Sequence, residues 1–133
     1  MSKLYFKISE LVHSDKAILY RINNMPDINS LDNLLNLIYY VLNPLRERLG
    51  KPITITSGYR CKKLNEIVGG VSNSQHTTGE ASDFIIEGMK VKDIIEFIKN
   101  TNIEYDQLIN EYDKWVHISY RKGKNRQQYI IYK

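Results

Sequence analysis

The chain of 133 residues is poor in the groups that usually mark a specialised architecture. It has one cysteine, one tryptophan and three histidines. A lone Cys61 excludes an internal disulfide, and it reads as a buried or idle thiol. No apolar run approaches the ~20 residues of a membrane span, so stable membrane insertion is not expected. The opening Met1-Ser2-Lys3-Leu4-Tyr5-Phe6-Lys7 has no signal-peptide apolar core or small-residue cleavage site, which implies synthesis and folding in the cytoplasm. No recognition-helix or aromatic-platform signature points to nucleic acid. Val68-Gly69-Gly70 has no G-x-x-x-x-G-K context, which excludes a phosphate loop. With no internal repeat, low-complexity tract or linker, residues 1–133 read as one domain with one modest core, expected to be monomeric.

What is present begins with 42% apolar residues and a formal net charge of +4. The basic cluster Arg121-Lys122-Gly123-Lys124-Asn125-Arg126 reads as a solvated turn between two strands; its alternative is attraction to a polyanion.

The clearest helix runs from Leu31 to Leu49. Leu31, Leu34, Leu35, Ile38, Val41, Leu42, Leu45 and Leu49 repeat at helical spacing, with Ser30 or Asn29 as cap and Gly50 past the end. Pro44 should kink or split it. Before it, Ile8, Leu11 and Val12 suggest a helical turn, Ala17-Ile18-Leu19 another, and Met25-Pro26-Asp27 a loop. His13 reads as a surface or local capping histidine. Ile53–Thr56 reads as a strand ending in a Ser57-Gly58 turn, and Lys62–Val68 as a helix stopped by Gly69-Gly70. Strands follow over 81–86, 106–111, 115–120 and 128–132, with a helix over 91–100. Early helices followed by a mostly antiparallel sheet imply an α+β fold.

Ser74-Gln75-His76-Thr77-Thr78-Gly79-Glu80-Ala81-Ser82-Asp83 has the form S-x-H-x-x-G-x-A-x-D, and Trp115-Val116-His117 comes well downstream. Gly79 breaks any helix between His76 and Asp83, so His76 belongs on a loop and Asp83 on a strand. On a strand over 115–120, Trp115, His117 and Ser119 share a face, and His117 could meet Asp83 across a sheet. Two imidazoles and a carboxylate are the ligand number of a catalytic zinc site with its fourth position open to water. Imidazole and carboxylate suit zinc, and hydrolysis needs no redox change.

At these residues the chain resembles the zinc D-Ala-D-Ala metallopeptidases, a family of cell-wall carboxypeptidases, endopeptidases and phage endolysins whose zinc fold the Hedgehog signalling domain shares. The resemblance extends through Ile53-Thr54-Ile55-Thr56-Ser57-Gly58-Tyr59-Arg60, Leu64-Asn65, Val68-Gly69-Gly70 and Asp106-Gln107-Leu108-Ile109-Asn110-Glu111. It implies zinc on His76, Asp83 and His117, and hydrolysis of peptidoglycan stem or cross-link peptides. It implies Arg60 as the group that holds substrate or polarises the scissile carbonyl. Tyr59, Ser74, Gln75 and Trp115 are further candidates to line the substrate cleft. The general base is Glu111 or Asp113, with Glu111 preferred because the Hedgehog domain has a Glu at that offset. Other branches put an acid three residues before the second histidine, where this chain has Lys114. Gly79 and Ala81 read structurally, as a tight turn and as room near the metal. The rival reading is a non-catalytic zinc-binding module of the same fold. Without a signal peptide, a wall hydrolase of this kind is expected to be a phage or prophage product released through a membrane lesion.

Overall fold

The computed structural model describes residues 4–133 and is α+β throughout. Two short helices open it, α1 (Ile8–Val12) and α2 (Asp15–Leu19), followed by α3 (Ile28–Leu37) and α4 (Asn43–Leu49). Then come β1 (Thr54–Ser57), α5 (Lys62–Ile67), β2 (Ala81–Ile85), α6 (Val91–Lys99), β3 (Gln107–Glu111), β4 (Trp115–Ser119) and β5 (Gln128–Tyr132). The five strands form one sheet in the order β1-β2-β4-β3-β5. Every neighbouring pair is antiparallel except β3–β5, which is parallel.

The apolar stripe over 31–49 is helical, but it is not one helix. It starts at Ile28, because Asp27 rather than Ser30 or Asn29 is the cap: its carboxylate accepts the Ser30 N–H at 2.7 Å. Between α3 and α4, Ile38–Leu42 winds as a π-helix. Pro44 falls in the first turn of α4, where a missing N–H costs nothing. Proline therefore divides the stripe through the wider turn upstream of it, and Leu34, Leu37, Val41, Leu42 and Leu45 are all fully buried.

Period-two alternation separates the two faces of the sheet. Phe84, Leu108, Val116 and Ile118 join Leu34, Leu37, Val41, Leu45, Ile94 and Ile98 in a single core. The opposite face carries Asp83 on β2, His117 on β4 and Ile109 on β3, three residues aligned across neighbouring strands. One residue of slip would turn all of these side chains over, so the buried apolar face fixes the register that the polar face uses. The connection from β3 to β4 places both Tyr112 and Asp113 at φ 58°. Asn110 braces it, donating its amide to Asp113 Oδ1 and accepting the Asp113 N–H, both at 2.8 Å.

Candidate metal centre and cleft

His76 does not sit on open loop. It lies on a 3₁₀ turn, Gln75–Thr78, that Ser74 starts by accepting the His76 N–H at 3.2 Å. Gly79 ends the turn with φ 78°, a left-handed conformation that glycine adopts without cost. The loop after β1 grips this histidine twice. Gly58 C=O accepts from His76 Nδ1 at 2.7 Å, and Arg60 N–H donates to the His76 carbonyl at 3.0 Å. Because a carbonyl only accepts, the proton is on Nδ1, and Nε2 presents its lone pair to the site.

Asp83 and His117 face each other across β2 and β4. Asp83 Oδ1 lies 2.9 Å from His117 Nδ1 and 3.3 Å from His76 Nε2. The three side chains are 14%, 11% and 4% exposed for Asp83, His117 and His76. Burial opposes ionisation of Asp83, but its contacts with His117 and then His76 outweigh it and hold the carboxyl well below the usual range. The donor atoms all lie within 4.8 Å of one another. Zinc–ligand bonds of about 2.0–2.2 Å in tetrahedral geometry set neighbouring donors roughly 3.3 Å apart. Two imidazoles and a carboxylate at these separations, one with its tautomer already set, fit such an ion.

The cluster lies in a cleft of about 800 Å³ lined by Arg60, Ser74, Gln75, Glu111, Trp115 and Tyr132 among others. Glu111 pairs with Trp115 at the end of β3–β4 beyond the histidines. Burial, and the nearby Asp83 charge, raise its pKa above the ordinary 4.5 against the opposing pull of the histidines. Arg60 buries its Nε without a protein partner, and Trp115 does the same with Nε1. Burial pulls the Arg60 pKa down while Asp83 supports its charge. Asp113 is elsewhere: held by Asn110, it borders two shallow hollows away from the cleft.

Tyr59 is a correction to the expected cleft lining. It is buried in the apolar core, and its backbone N–H donates to the Leu11 carbonyl at 2.6 Å. The bend after Gly58 turns residue 59 inward so that residue 60 can face the cleft. Cys61 is half-buried and does not border the cleft. His13 is a surface histidine whose Nε2 meets the Asp15 carboxylate at 2.9 Å, while Ser14 caps α2.

The linear sequence did not single out several groups that build this site. Asn24 donates to the carbonyls of Val12 and Tyr59 and accepts the Cys61 N–H at 2.7 Å, so it anchors both sides of Arg60. Asp106 is fully buried. It accepts Arg126 Nε at 2.9 Å and Nη2 at 2.8 Å, the Arg126 backbone N–H at 3.0 Å, and Gln75 Nε2 at 2.7 Å. The Arg126 bonds hold its pKa at about 2. Arg121 Nε donates to Glu80 at 3.2 Å. The basic cluster is a largely solvated turn between β4 and β5 as expected, and two of its arginines, themselves partly exposed, also reach the cleft rim in ion pairs. Their linear traces were slight: Asp106 stands in the segment leading to Glu111, Glu80 within the histidine motif, and Arg121 and Arg126 in the basic cluster, while Asn24 had none.

Fold and site together define an α+β domain with a His-Asp-His cluster at the floor of a polar cleft. The family model Peptidase M15 matches residues 4–119, and the chain belongs to that family. Over 43 residues it is 46% identical to a zinc D-Ala-D-Ala carboxypeptidase of Streptomyces albus G. That match covers 32% of this chain and 17% of the relative, so the shared stretch is a small part of the relative's length.

Proposed function

We propose that the chain is a zinc peptidase that hydrolyses D-alanine-containing stem or cross-link peptides of peptidoglycan, as a D,D-carboxypeptidase or an endopeptidase. The observation that carries this is the convergence of His76, Asp83 and His117 beneath a cleft that also holds Glu111 and Arg60. The family assignment and the carboxypeptidase relative support the substrate class. His76 Nε2, His117 Nδ1 and Asp83 would hold zinc, which when bound supplies Lewis acidity toward a carbonyl and a water nucleophile near neutral pH. Glu111 would act as general base toward the attacking water and return the proton to the leaving amine; its half-buried position raises its carboxyl pKa in the direction this role needs. Arg60 donates to the oxygen on which negative charge develops, and its unpartnered Nε leaves that capacity free. Asp83 stays ionised, which suits a ligand.

Purified peptidoglycan incubated with the zinc-loaded protein should release peptides with D-alanyl bonds cut, identified by mass. Failure to cut any wall peptide, with zinc bound in full, overturns the enzyme in favour of a zinc-binding module.

A further inference from the structure

Among the described residues, three that line the cleft each carry a buried side-chain atom with no protein partner. Two are donors, Arg60 Nε and Trp115 Nε1, and one is an acceptor, Gln75 Oε1. The carboxylates at the Gln75 end are already engaged: Glu80 with Arg121, and Asp106 with Arg126. A peptide brings both C=O and N–H groups into such a cleft. Its carbonyls find the arginines and the tryptophan; its N–H groups find Gln75 Oε1.

The direction of the Gln75 amide follows from its neighbour. Asp106 accepts hydrogen bonds only, so the Gln75 NH₂ must face it, as the 2.7 Å contact shows. The oxygen then points away from Asp106, fixed by a carboxylate that three donors of Arg126 hold in place. Gln75 opens the turn that carries His76 and lines the same cleft as the metal cluster. We propose that Gln75 Oε1 is a specificity-determining acceptor for one backbone N–H of the bound peptide, and that Asp106 is the positioning residue that keeps the amide turned that way. The proposal rests on the peptidase reading for its ligand class. A bound peptide lacking that N–H would leave the acceptor buried and unpaired, which costs tenfold or more in affinity.

The test uses acetylated tripeptides ending in D-Ala-D-Ala and a series with each backbone N–H in turn replaced by N–CH₃. Binding is measured by calorimetry on zinc-loaded Glu111→Gln protein, and cleavage on the protein with Glu111 intact. One N-methyl position should weaken binding about tenfold. Adding Gln75→Leu should weaken the parent peptide by a similar factor and erase the discrimination at that position alone. Asp106→Asn should erase it too, because the asparagine NH₂ invites the Gln75 oxygen to face it and turns the glutamine NH₂ into the cleft. A purely structural loss would weaken every peptide alike. Gln75→Met serves as a second variant should Gln75→Leu lose zinc or its cooperative melting. Cleavage of wall peptides with discrimination unchanged in the Gln75 variants overturns the proposal and leaves the peptidase. Discriminating binding without cleavage overturns the peptidase and leaves Gln75. Failure to bind any peptide counts against both.

Discussion

Gly79→Ala tests whether the metal turn depends on its close seat against α3. Gly79 has φ 78°, so alanine there must hold a left-handed backbone, at a cost of roughly 1–2 kcal/mol. An added Cβ also has nowhere to go. It would fall inside contact distance of the Ser30 carbonyl oxygen, 3.0 Å from the Ser30 carbonyl carbon and 3.2 Å from Leu34 Cγ. Ser30 belongs to the first turn of α3 and Leu34 is fully buried, so neither can retreat freely. Overpacking of this kind adds roughly 1–3 kcal/mol. The sum is about 3 kcal/mol. For 133 residues, at about 2.1 cal/mol/K per residue, that lowers Tm by roughly 10 °C. The relief available is to lift the 75–78 turn off α3, which moves His76 away from Asp83. Zinc affinity should therefore fall with stability, and added zinc should recover less Tm in the variant. Calorimetric melts of metal-free and zinc-loaded protein measure both. A loss under about 1 kcal/mol with wild-type zinc affinity would refute the close-packing argument.

Glu111→Gln should retain zinc and lose 10²- to 10⁴-fold in kcat, read from peptide cleavage beside metal analysis; in the metal-free protein the Glu111 carboxyl should titrate above 4.5 by NMR. Asp83→Ala should lose zinc, whereas Asp113→Ala, turned away from the cleft, should keep it. Chelation should lower Tm and abolish cleavage, and zinc should restore both, because the ion ties the 76–83 segment to β4; activity that survives thorough chelation removes the metallopeptidase. Asp106 is held at about 2 against an ordinary 3.8. A depressed carboxyl stabilises the fold fully above the unfolded value and loses that contribution as pH falls through the folded one. Removing it by Asp106→Asn should flatten the fall in stability between pH 4 and 2 by about 2 kcal/mol, measured by urea melts of metal-free protein.

Much of the fold is written in local pattern. Alternation over 107–111 and 115–119, the stripe over 31–49 and the Gly79 break each follow from side-chain period and backbone sterics, which act over a few residues. The spacing of Ser74 to Asp83, with the Trp115-Val116-His117 strand, likewise marks the cluster before any coordinates. The pairing of Asp83 with His117 follows from strand faces and appears in the register as expected. Local pattern stops at the ends of elements. That Asp27 caps α3, and that a π turn relieves Pro44, depends on which hydrogen bonds win once the stripe packs.

Whatever joins distant segments was decided by tertiary structure alone. A Tyr beside an Arg gives no sign that one turns into the core and the other into the cleft; the contact of Gly58 and Tyr59 with Leu11 does that. A basic run between strands is legible as a solvated turn, but nothing in it shows that folding sets Glu80 beside Arg121 and the buried Asp106 against Arg126. Nor does Asn24 look like anything but a loop polar residue until three backbone groups from two segments meet it. Sequence by itself determined which residues could bind a metal, and that Asp83 and His117 lie on strands while His76 does not. Only the packed chain decided the tautomer of His76 and the orientation of Gln75, because each is set by a hydrogen bond to a partner many residues away, and only it decided that Glu111 rather than Asp113 borders the cleft.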